Sequence, residues 1–184
     1  HFTDRGPYAF VVPVKQRDPA AVTALIRLLQ AEAADVEVAT TPFVAGGNSY
    51  PPGTYVIRLA QPFGRWIKDI LEPQKYPDIR WPSENSPFDK PYDVTAWSLG
   101  MLMGVETIQI NSPFEVTLRS LTNDAQVPPG RVKGTGDTFV ISHNANRSFT
   151  ALNRLLAAGA SVGWIQNEIN LDGVGTIERG AMLI

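Results

Sequence analysis

Tyr8-Ala9-Phe10-Val11-Val12-Pro13-Val14, then Asp18-Pro19, then Val22, Leu25, Ile26 and Leu29 set the pattern on which the fold turns. The first seven residues are an apolar, β-prone run and predict a strand. Asp18 is a strong helix N-cap. Pro19 suits the first helical position, where its missing N–H has no partner to lose. The four aliphatic residues beyond it recur at helical spacing, so a helix follows with one face turned to a core. Next, Val36-Glu37-Val38 alternates like a strand, Gly46-Gly47-Asn48 makes a turn, and residues 54–59 read as another strand.

Phe63, Trp66, Ile67, Ile70 and Leu71 form the clearest amphipathic helical set in the chain. Glu72-Pro73 stops it, because proline cannot continue the hydrogen-bond ladder. Residues 72–92 carry prolines at 73, 77, 82, 87 and 91 among Tyr76, Trp81, Phe88 and Tyr92, which predicts a long loop. Such stiffly held aromatics suit either contact with a partner or cover for the sheet. Asp93 is placed to cap a helix through Trp97, Met101 and Leu102 that ends at Gly104. Strands are expected at 105–110, 114–121 and 138–142, with a turn at Pro128-Pro129-Gly130. A helix is expected over residues 148–158 with Gly159 as its stop, followed by strands at 162–165 and 181–184.

Parts of the sequence look alike. Ala24-Leu25-Ile26-Arg27-Leu28-Leu29 matches Ala151-Leu152-Asn153-Arg154-Leu155-Leu156 at five of six positions, with an offset of 127 (151 − 24). Gly53-Thr54-Tyr55-Val56-Ile57 matches Gly180-Ala181-Met182-Leu183-Ile184 at the same offset, and Phe10-Val11 matches Phe139-Val140 at 129 (139 − 10). Three matches in one order indicate a duplicated unit or one packing solution used twice, over residues 8–59 and 137–184. Alternating strands and helices with short connections predict a single α/β domain over residues 1–184. Its expected core is a layered sheet, mixed but largely parallel, with helices packed on it.

Composition excludes several function classes. Of 184 residues, 43% are hydrophobic and 18% charged, an ordinary globular balance that supplies one core. A net charge of −2 with no basic stripe argues against nucleic acid as a partner. The longest apolar run, residues 99–105, is too short to span a bilayer. The chain begins abruptly at His1 and stops on Leu183-Ile184, the pattern of a segment cut from a longer protein. It has no cysteine, so disulfides, thiolate zinc sites and cysteine nucleophiles are excluded within it.

No catalytic, cofactor-binding or metal-binding set can be assigned. Only His1 and His143 could serve zinc as imidazoles; His1 precedes Asp4 in a His-x-x-Asp arrangement but stands at the chain start. Ser142 and His143 are neighbours on a strand and point to opposite faces, so they make a poor nucleophile–base pair. Gly134-Thr135-Gly136 precedes a strand, whereas a phosphate loop follows one. Asp69, Glu72, Asp89 and Asp93 have no spacing that assigns an acid and a base.

The most site-like stretch is His143-Asn144-Ala145-Asn146-Arg147-Ser148, between a strand and a helix start. Ligands favour that edge of a parallel sheet, and helix N-terminal amides favour anions. His143, Asn144, Asn146, Arg147 and Ser148 are therefore the candidate residues for a small polar or anionic ligand. Asn and Ser also cap and turn without any ligand. Asn146-Arg147-Ser148 is in addition an N-glycosylation acceptor pattern.

Two further stretches carry a resemblance. Gly53-Thr54-Tyr55-Val56-Ile57-Arg58-Leu59-Ala60-Gln61-Pro62-Phe63 continues through Leu71-Glu72-Pro73-Gln74-Lys75-Tyr76-Pro77-Asp78, and Lys90-Pro91-Tyr92-Asp93-Val94-Thr95-Ala96-Trp97-Ser98-Leu99 precedes Met103-Gly104-Val105. They resemble the region downstream of the peptidase domain in large bacterial zinc carboxypeptidase A-like proteins, a region similar to class I glutamine amidotransferase-like α/β domains. The likeness covers most of residues 5–184. That family's metal-binding His-x-x-Glu, third ligand His and catalytic Glu have no matching positions here, and neither has the amidotransferase cysteine.

The resemblance implies a secreted or periplasmic zinc carboxypeptidase-like parent, with zinc in the parent's peptidase domain and none in this segment. This chain is then a non-catalytic accessory domain for substrate presentation, stability or domain packing, partnered by the peptidase domain of the same polypeptide and by peptide. The competing expectations are the ligand module after Ser142 and a hydrolase built from scattered Ser, Asp and His.

Overall fold

The computed structural model describes residues 6–74, 77–90, 98–122 and 125–184. The chain groups into two compact units, the first comprising residues 1–14 and 25–124, the second residues 15–24 and 125–184.

In the first unit, strand β1 (Ala9–Val12) leads into helix α1 (Pro19–Ala31), of which residues 19–24 count with the second unit. Leu25, Ile26 and Leu29 on α1 are fully buried, as their spacing requires. Strand β2 (Glu37–Ala39) follows, then a hairpin of β3 (Phe43–Ala45) and β4 (Asn48–Tyr50). Its turn is Gly46-Gly47, both with positive φ, the combination that a two-residue hairpin turn of matching twist needs. Strand β5 (Tyr55–Arg58) returns to the sheet, and helix α2 (Gly64–Leu71) ends where Glu72 turns extended before Pro73. Helix α3 (Leu99–Leu102), β6 (Ile108–Ile110) and β7 (Leu118–Ser120) complete the unit. The expected cap Asp93 and the helix residue Trp97 lie outside the described residues.

The sheet of the first unit has the order β6-β1-β5-β2-β7. Every neighbouring pair in it is antiparallel. The largely parallel layered sheet expected from the sequence is therefore corrected. The α1 crossover does run β1 and β2 in the same direction, but they do not pair. The β3–β4 hairpin sends β5 back between them, antiparallel to both, so no parallel ladder forms. One face of this sheet is sealed by a cluster of Ala9, Val11, Ala39, Phe43, Ala45, Tyr50, Val56 and Ile110, with Phe114, Val116 and Leu118 packed against it. Phe43 stacks on Tyr50 and on Phe114, with ring centroids 5.1 and 5.3 Å apart.

The second unit carries β8 (Val140–Ile141), helix α4 (Asn146–Ala157), β9 (Gly163–Trp164), a hairpin of β10 (Ile169–Leu171) and β11 (Gly175–Ile177), and β12 (Met182–Leu183). Its sheet has the order β8-β12-β9, again antiparallel at each pair. Strand, helix, strand, hairpin, inserted strand is thus the element order of both β1–β5 and β8–β12. The registers correspond as well. Val11 faces Val56 and Val12 faces Tyr55, while Val140 faces Leu183 and Ile141 faces Met182. Gly53 donates to the Ala39 carbonyl at 2.8 Å, as Gly180 does to the Ile165 carbonyl. Both glycines hold nearly the same positive φ, 89° and 87°, a conformation that any Cβ would strain.

Candidate functional site

The loop between β8 and α4 holds all five candidate residues, and the structure shows what each one does. His143 packs beside Gly180, and its Nδ1 is buried with no hydrogen-bond partner among the described residues. Asn144 Nδ2 donates to Glu178 Oε2 at 2.7 Å, and the Asn144 N–H donates to Ser142 Oγ at 3.2 Å. The Ser148 N–H donates to the Ala145 carbonyl at 3.0 Å, which winds the first turn of α4. The Arg147 side chain is exposed.

The amide of Asn146 meets the carboxylate of Asp18, with its N–H donating to Oδ2 at 2.8 Å. Asp18 is only 5% exposed, and its other oxygen accepts from the N–H groups of Ala20 and Ala21 at 2.9 and 3.2 Å. One buried carboxylate therefore caps the N-termini of both α1 and α4. The first cap was legible from Asp18-Pro19. The second was not, because the partner lies 128 residues away. A local signal did exist. Ala145 stands at the N-cap of α4 and has no side-chain oxygen to offer, so the helix must find an acceptor elsewhere.

This arrangement decides the electrostatics of the loop. The place where a helix N-terminus would attract an anion already holds a carboxylate of the protein itself. Glu178 adds a second acidic group at Asn144. The crevice at the carboxyl ends of parallel strands, the reason for singling out this loop, has no counterpart in an antiparallel sheet.

Other sequence candidates are dispersed. Ser142 Oγ is engaged by the Asn144 amide, and Glu72 pairs with Lys68 at 2.6 Å one helical turn away. His1, Asp4 and Asp93 lie outside the described residues. Among the described residues no group of three or more His, Cys, Asp or Glu could hold a metal ion. No helix among them is long and apolar enough to cross a membrane.

A second candidate emerges from comparing the two five-strand motifs, and sequence reasoning missed it. Val11 and Val56 are fully buried, whereas their counterparts Val140 and Leu183 are 38% and 37% exposed. The difference continues on the helices. Val22 and Leu29 of α1 are buried, but Phe149 and Leu156 in their places on α4 are exposed. In the first unit the sheet face is covered by the β3–β4 hairpin and by Phe114, Val116 and Leu118. The second unit keeps the apolar residues and leaves them open; Phe139 and Trp164 are exposed too, on the opposite face of the same ladder. The clue in the sequence was the persistence of aliphatic residues at matched positions, but exposure cannot be read from a repeat.

Comparison with protein-family models, with curated proteins and with solved structures gives no match.

Proposed function

We propose that this chain is a non-catalytic accessory domain that docks a neighbouring domain on the open sheet of its second unit. The observation that carries the reading is the exposure of Val140 and Leu183 at positions whose counterparts are sealed. Apolar side chains kept at matched positions but left uncovered mark an interaction surface, because a free surface has no need of them. The resemblance supplies the identity of the neighbour: the peptidase domain of a secreted or periplasmic zinc carboxypeptidase-like protein. In such a parent the zinc and its chemistry belong to that peptidase domain, and this chain contributes substrate presentation or domain packing.

A small polar or anionic ligand on the loop after Ser142 has less support. Asp18 occupies the Asn146 amide, and Glu178 engages Asn144. In its favour stands the buried Nδ1 of His143, which has no hydrogen-bond partner among the described residues.

The test uses the double variant Val140→Lys, Leu183→Glu, whose opposite charges face each other across the β8–β12 pair. Supplied as separate polypeptides, the peptidase domain and this chain should associate, and the variant should weaken that association at least ~10-fold, about 1.4 kcal/mol. Because both residues are already exposed, the melting temperature of the chain alone should hardly move. Equal association of variant and wild type would contradict the proposal.

A further inference from the structure

We infer that the free edge of β8 accepts an added antiparallel strand, and that its partner is an extended segment with aliphatic residues at alternate positions. The inference rests on the docking reading and specifies how docking occurs. In the first unit the equivalent edge, that of β1, carries β6, with Ile108 opposite Val11 and Ile110 opposite Ala9. Ile110 belongs to the core cluster that contains Ala9, Val11 and Val56, and Ile108, Phe114 and Val116 pack against the same cluster. That edge and face are an established interface within this chain, and the second unit repeats the strand that forms it.

Counterparts set the register of the missing strand. Val140 stands where Val11 stands, Thr138 where Ala9 stands, and Leu183 where Val56 stands. Among the described residues β8 pairs with β12 alone, so its other edge is open. Phe139 and Ile184 exchange both backbone hydrogen bonds, each 2.9 Å. Antiparallel ladders alternate, so the N–H and C=O of Val140 point away from β12 to the open side. An unpaired edge of this kind recruits a strand through main-chain bonds, and side chains at every second residue supply selectivity. One aliphatic residue of the partner would cover Val140, the next but one Thr138, and the continuing segment would cross Leu183. The β9 edge is the weaker acceptor. At the position of Glu37 it carries Gly163, which offers no side chain for the face to be covered.

The test uses the full chain, labelled for NMR, and a capped peptide copying residues 105–117. Binding should shift the resonances of residues 138–142 and 183 and slow exchange of the Val140 amide. Methylating the peptide nitrogen at its Ile108, which faces the ladder, should weaken binding on the order of tenfold or more. Methylation at Gln109, whose N–H turns away, should leave it unchanged. No binding at millimolar peptide, or equal effects of the two methylations, overturns strand addition. So do shifts confined to β1 and β5, which mean exchange with the chain's own β6. Self-association through residues 138–142 without peptide also overturns it, by making a second copy the occupant. Shielding of the Val140 and Leu183 side chains in the docked protein with a freely exchanging Val140 amide leaves docking intact and refutes strand addition alone.

Discussion

The backbone N–H of Asn146 donates a 2.8 Å hydrogen bond to the carboxylate of Asp18, which also caps its own helix through Ala20 and Ala21. Asn146 is the first residue of α4, the place that Pro19 occupies in α1. Proline is therefore tolerated there by the helix, and Ala145 already has the extended backbone that a following proline prefers.

Asn146→Pro deletes the bond to Asp18 and little else. It should lower the unfolding free energy by ~1.5–3 kcal/mol, the range for a hydrogen bond to a charged group. Asp18→Ala removes both caps and should cost more, about 2–5 kcal/mol. In the double variant the proline should add almost nothing. Denaturant midpoints of the four proteins measure the coupling, and strict additivity would show that the bond carries no stability.

Ile67 is fully buried on α2, whereas Trp66 is half-buried. Ile67→Asp should prevent folding of the first unit, since an unpaired buried carboxylate costs several kcal/mol, a large part of a domain's stability. Trp66→Ala should be milder, about 1–2 kcal/mol, because only part of its side chain leaves a cavity. Circular dichroism melts distinguish the two. A folded Ile67→Asp protein would displace α2 from the core.

Local features of this fold were legible and pairings were not. Asp18-Pro19, the helical spacing of Val22, Leu25, Ile26 and Leu29, and the stop at Glu72-Pro73 are written within a few residues. The resulting elements match. Which strands become neighbours depends on β5 returning between β1 and β2, and nothing in the spacing records that return. The turn at Gly46-Gly47 was legible, but the strands β3 and β4 beside it, and the whole hairpin β10–β11, escaped notice because three-residue strands are too short for alternation to show. At the β8–α4 loop the residue types were visible, but their partners Asp18 and Glu178 lie far away in sequence. The open face of β8 and β12 was invisible because aliphatic residues read the same whether covered or bare.

Tyr50 is buried in the aromatic stack of the first unit. Burial pushes its hydroxyl above the ordinary value of 10.0, and the charge of Glu106 pushes the same way, with the nearby Asn48 side chain opposing. Above pH 10 the unfolded chain therefore loses this proton while the folded chain keeps it. Stability present below the unfolded value should fall as pH rises toward the folded one. Tyr50→Phe removes that term. Chemical denaturation across the alkaline range should show a smaller loss for the variant than for wild type; parallel curves would refute the assignment.

Side-chain footprinting with hydroxyl radicals compares the chain alone with the longer polypeptide that contains the peptidase domain. Val140 and Leu183 should be oxidised readily in the chain alone and become shielded in the longer protein. Exposed Val132 and Val174 provide references at the level of exposed residues, and Val11 and Val56 should be protected in both. Equal oxidation of Val140 and Leu183 in the two proteins would contradict the docking function.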